Sequence, residues 1–84
     1  MSETTNYEED VSRDEAADLL QELAREIRSG GTAEVRVGNK MLTLSPSSIV
    51  EYGIEVEERS PMLGGDREEI TLSLEWGVEK SEDG

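Results

Sequence analysis

Cysteine and histidine are both absent from this chain of 84 residues, and phenylalanine is absent with them. Without cysteine there is no disulfide framework, which a small secreted domain of this size would ordinarily need. Zinc sites built from Cys and His are excluded, as are Ser-His-Asp and Cys-His catalysis. Lysine occurs only as Lys40 and Lys80, and the aromatic residues amount to one tryptophan and two tyrosines. Hydrophobic residues make up 33%, below the roughly 45–50% of ordinary globular chains counted with glycine. A chain this short buries only about 60–65% of the surface it exposes when unfolded, so a thin core is expected. No apolar run approaches the roughly 18 residues of a membrane span. Met1-Ser2-Glu3-Thr4-Thr5 lacks the basic and apolar regions of a signal peptide, and the expected location is the cytoplasm.

Acidic residues are what the chain has in plenty: 21 Asp and Glu stand against 8 Lys and Arg, a formal net charge of −13. Such a balance repels nucleic acid and anionic lipid, so no nucleic acid and no membrane are expected as partners. It also sets the folded state against itself. In about 1 M salt the Debye length falls to about 3 Å and most of that repulsion is screened. An acidic, lysine-poor and weakly hydrophobic composition suits a salt-rich cytoplasm, and a halophilic source is the expectation.

The apolar residues fall into periodic segments, which favours folding over disorder. Residues 1–11 are polar, acidic and without period, and read as a flexible arm. Residues 12–79 read as a single α+β domain and 80–84 as a disordered tail. Ser12-Arg13-Asp14-Glu15 is a capping box. Behind it Ala16, Leu19, Leu20, Leu23, Ala24 and Ile27 recur at helical spacing. Asp14 and Glu15 complement the positive end of the helix dipole, Arg25 and Arg28 the negative end. Gly30-Gly31 supplies the stop. The helix is predicted over 13–29.

Ala33 to Val37 and Lys40 to Leu44 flank Gly38-Asn39, a pair suited to a two-residue type II′ turn with glycine at positive φ. That turn pairs Val37 with Lys40, Val35 with Leu42 and Ala33 with Leu44, which puts the apolar residues on one face. Ser45-Pro46-Ser47-Ser48 is a turn. A third strand is predicted over 49–58, with Val50, Tyr52, Ile54 and Val56 on one face and Glu51, Glu55 and Glu57 on the other; Gly53 within it is a candidate bulge. After a loop over 60–66, Ile70, Leu72, Leu74, Trp76 and Val78 alternate with Thr71, Ser73, Glu75 and Gly77. The predicted architecture is one N-terminal helix packed on a four-stranded antiparallel sheet, an α-β-β-β-β meander.

Ala16-Ala17 and Leu20-x-x-Leu23-Ala24 in a capped helix, then a glycine, then hairpins, then Glu69-Ile70-Thr71-Leu72-Ser73-Leu74-Glu75-Trp76 form a pattern that resembles the amphi-Trp domain family. These are small prokaryotic proteins named for an amphipathic final strand ending in tryptophan. The resemblance covers most of 12–78. It implies the domain and brings no activity, cofactor or site residue with it.

Candidate chemistry is sparse. Asp66, Glu68 and Glu69 beside Gly64-Gly65 offer carboxylate oxygens, but their spacing fits no EF-hand loop, and a charged turn is the ordinary reading. Glu51, Glu55, Glu57 and Glu75 share the outer sheet face, where carboxylates act as acid and base only if burial or proximity separates their pKa values. Neither glycine pair belongs to a GxGxxG motif or a P-loop. Tyr52 alternates with core positions; Tyr7 either anchors the arm or hangs free. Trp76 is in step with the inward face and is expected in the core, with a partner's hot spot as the competing role. No catalytic, metal or cofactor residue is assigned and no cofactor is expected. The functional expectation is a non-enzymatic protein-binding or adaptor module working through its sheet surface or an edge, self-association included. The alternatives are an acidic regulator of a basic partner, and a small enzyme using carboxylates or a metal.

Overall fold

A computed structural model describes residues 2–78. The helix and strands come in the order α1 (Arg13–Arg28), β1 (Ala33–Val37), β2 (Lys40–Leu44), β3 (Glu51–Arg59) and β4 (Arg67–Glu75). The α+β class, and one helix followed by four antiparallel strands, agree with the sequence. The strands are joined differently from the single meander: β1 pairs with β2 and β3 with β4, as two two-stranded sheets. The physical reason lies in the connection. Between Leu44 and Glu51 there is no two-residue turn to fix a register, and Pro46 brings no N–H to a ladder. The chain divides into two compact units at Ser48 and Ile49.

In the first unit, α1 starts where the capping sequence puts it. Ser12 has extended backbone and its hydroxyl accepts the Glu15 N–H at 3.0 Å. At the other end the Ser29 N–H and hydroxyl both donate to the Glu26 carbonyl, at 3.3 and 2.8 Å, and Gly30 takes φ +87°. The Glu26 carboxylate then accepts the Glu34 N–H at 3.0 Å, tying the last turn of the helix to β1. Ala33 is fully buried where α1 meets β1. Ala16, Leu23, Ile27, Val35, Val37 and Leu42 are half-buried, while Leu19 and Leu20 of the same helical stripe are exposed.

The register of β1 with β2 is the one the turn chemistry predicts: Val37 opposite Lys40, Val35 opposite Leu42, Ala33 opposite Leu44. Gly38 has φ +66° and no non-glycine residue has positive φ, the pattern of a II′ turn, in which only the first central residue is left-handed.

The second unit is the β3–β4 hairpin with the segment that follows it. Its ladder runs without interruption from Glu51 opposite Glu75 to Arg59 opposite Arg67. The candidate bulge at Gly53 is therefore not there; Gly53 sits in register opposite Ser73. The glycine instead gives room to the side chain across the ladder. A Cβ at this position would lie 2.8 Å from the Ser73 Oγ. Strand β4 ends one residue before Trp76, which is half-buried, and Val78 is exposed. The tail expected over 80–84 lies outside the described residues.

Candidate functional site

Alternation along β3 and β4 makes the hairpin two-faced. One face pairs Tyr52 with Leu74, Ile54 with Leu72 and Val56 with Ile70. Here Tyr52, Ile54, Val56, Ile70 and Leu72 are 63%, 58%, 64%, 70% and 40% exposed. Monomeric proteins seldom leave a contiguous apolar patch of this kind without a use for it.

The same face ends in charge, because Glu58 stands opposite Glu68. Like charges directly across a ladder repel, and no described residue makes an ion pair with either carboxylate. The reverse face carries two such oppositions, Glu51 with Glu75 and Glu57 with Glu69, and the second of them is bridged. The Arg59 guanidinium donates to both Glu57 and Glu69, at 2.9 and 3.0 Å. The bond to Glu69 first, and the charge of Glu57 second, hold the Arg59 proton more firmly than usual. Sequence alternation finds the two faces. It misses the Glu58–Glu68 pair and the Arg59 bridge, because both depend on which strand residues oppose each other.

The carboxylates singled out in the sequence do not converge. Glu68 and Glu69 are successive strand residues and point to opposite faces, and Asp66 precedes the strand. Glu51, Glu55, Glu57 and Glu75 do share a face, as expected, but all are exposed to solvent. Among the described residues no set of three acidic side chains is placed to hold a metal ion.

At the first hairpin the arm is less remote than its sequence suggests. The Tyr7 ring lies over Gly38, so close that a Cβ there would be 2.7 Å from Cδ1. The Tyr7 hydroxyl donates to the Glu9 carboxylate at 2.6 Å. That bond, with the neighbouring negative charge, pushes the phenol above its ordinary range. Beside the turn is an open depression of about 330 Å³ lined by Arg36, Gly38, Asn39, Lys40 and Met41. Its two cations do not act together: Arg36 is opposite Met41 and Lys40 opposite Val37, so they project from opposite faces.

No helix among the described residues is long and apolar enough to cross a membrane. No curated protein and no solved structure matches the chain. The model of one family does, over residues 1–84. A helix capped at Ser12, a final amphipathic strand and the tryptophan that follows it thus have a common explanation: the chain belongs to the amphi-Trp domain family.

Proposed function

We propose that the protein is a non-enzymatic protein-binding module whose working surface is the apolar face of the β3–β4 hairpin. The observation that carries this reading is the exposure of Tyr52, Ile54, Val56 and Ile70 on one side of a ladder whose other side is already acidic and solvated. A two-stranded hairpin is marginal in water without something on its apolar face, and association would supply that cover. The setting in this reading is a salt-rich cytoplasm, where the charge of −13 is screened. The two strand edges of each hairpin offer a further route to association, by strand addition.

The test is site-specific photocrosslinking at native ionic strength. A photoreactive phenylalanine analogue replaces Tyr52 or Leu72 on the apolar face, or Glu55 or Thr71 on the acidic face. A protein adduct is expected from positions 52 and 72 and not from 55 and 71. Equal labelling from both faces, or none from either, overturns the assignment.

A further inference from the structure

We propose that the open edge of β2 pairs with the same edge of a second copy of this chain, antiparallel about Leu42, so that two β1–β2 hairpins join in one sheet. The proposal rests on strand addition as a route to association. It makes no use of the β3–β4 face, so either can fail without the other.

The turn fixes which backbone groups face outward. A two-residue turn closes on a hydrogen-bonded pair, here Val37 with Lys40, and bonded and non-bonded pairs alternate from there. Arg36 with Met41 and Glu34 with Thr43 are the non-bonded pairs, so their N–H and C=O groups point away from the ladder. The Glu34 N–H displays this phase, since it donates to the Glu26 carboxylate at 3.0 Å. On the β1 side α1 packs against the strand, and its Glu26 already holds one outward donor. A strand added there has to displace that carboxylate. Nothing comparable guards β2. Among the described residues it is hydrogen-bonded to β1 alone. Met41 and Thr43 are exposed, and no described backbone group bonds to their outward N–H or C=O.

Local charge selects the occupant. Lys40-Met41-Leu42-Thr43-Leu44 is the one strand without an acidic residue; β1 carries Glu34, β3 carries Glu51, Glu55, Glu57 and Glu58, and β4 carries Glu68, Glu69 and Glu75. Pairing β2 with itself about Leu42 sets Met41 opposite Thr43 of the second copy, Leu42 opposite Leu42 and Lys40 opposite Leu44. In that register the outward groups of Met41 and Thr43 meet, each pair exchanging both of its bonds, and no two like charges are opposed. Pairing copies through β3 or β4 instead adds carboxylates to strands that already hold three Glu–Glu oppositions. The second copy also brings cover, since Met41 and Leu44 are 51% and 36% exposed. The net charge of −13 on each copy opposes their approach, and salt screens it, so the association strengthens with salt.

The chain has no cysteine, so single cysteines report the register. Met41→Cys and Thr43→Cys proteins are oxidised in molar KCl, each alone and the two mixed. The mixture is expected to give the faster intermolecular disulfide, because positions 41 and 43 face each other at about 5.5 Å. Position 41 meets 41, and 43 meets 43, only diagonally at about 7–8 Å. Equal cross-linking in all three samples, or none, overturns the proposal. Sedimentation reads the association itself, with a dimer expected in molar KCl and a monomer in low salt. Thr43→Pro removes an outward N–H and no bond of the β1–β2 ladder. It is expected to weaken the dimer about tenfold while keeping the circular dichroism of the parent. A folded Thr43→Pro variant that dimerises as well as the parent overturns the proposal; if that variant does not fold, the cysteine pair decides. The Met41 and Thr43 amides should gain protection from hydrogen exchange as protein concentration rises. Full protection in the dilute monomer means that the chain itself covers the β2 edge, which also overturns it. A dimer that cross-links from positions 52 and 72 and not from 41 and 43 overturns it in favour of the β3–β4 face.

Discussion

Gly38 shows how much one position can be asked to do. Its φ of +66° lies in the region that L side chains enter at a cost, and the Tyr7 ring occupies the place where a Cβ would go. Two separable penalties follow. Gly38→Ala is expected to cost about 1 kcal/mol for the backbone, with an additional loss from displacing Tyr7. In a Tyr7→Ala background the second penalty disappears, so Gly38→Ala should be measurably milder there. Urea midpoints of the two single variants and the double variant read the coupling directly. Strict additivity would mean that the ring does not rest on the turn in solution. The left-handed requirement is legible in the sequence, since Gly-Asn between alternating strands specifies it. The Tyr7 contact is not, because nothing in the pattern of residues 1–11 relates them to a turn some thirty positions away. Gly53 teaches the converse lesson. An isolated glycine in a strand has more than one meaning, and only its position opposite Ser73 decides between a bulge and a close approach.

Among the elements, α1 is the one most fully specified locally. Its cap, dipole charges, stripe and glycine stop all agree, and the structure ends it at Arg28, within a residue of the sequence reading. Its stability should depend visibly on the cap. Ser12→Ala removes the acceptor of the Glu15 N–H and is expected to cost about 1 kcal/mol, whereas Ser12→Asp should restore most of it. Far-UV circular dichroism during urea unfolding measures both. An alanine variant as stable as the parent would show that water replaces the hydroxyl at no cost. The hairpins are specified less evenly. In β1–β2 the turn fixes the register, so three cross-strand pairs follow from the sequence. In β3–β4 the loop over 60–66 leaves several registers open. The observed one is set by matching Tyr52, Ile54 and Val56 with Leu74, Leu72 and Ile70. That choice has an electrostatic consequence, for it places Glu against Glu at 51 and 75, at 57 and 69, and at 58 and 68.

For the molecule as a whole, charge dominates. A net charge of −13, with three Glu–Glu oppositions in one hairpin, makes self-repulsion a large term against a thin core. The urea midpoint should rise between low and molar KCl as the Debye length falls from about 10 to about 3 Å. The rise should be steeper for a probe next to β3–β4, such as the fluorescence of Trp76 just after β4, than for the helical signal of α1. An unchanged midpoint would show that repulsion is already relieved by other means. The sequence by itself determined the helix and its ends, the first hairpin and its register, the two-faced character of β3 and β4, and the family pattern. Each is encoded over a few neighbouring residues by side-chain period, cap or turn, so local chemistry suffices. Tertiary structure alone decided that four strands form two sheets, that Gly53 faces Ser73, that Tyr7 covers Gly38, and that Arg59 serves one of three opposed pairs of glutamates and leaves Glu51 with Glu75 and Glu58 with Glu68 unserved. These depend on which distant residues are brought opposite one another, and periodicity carries no information about that choice.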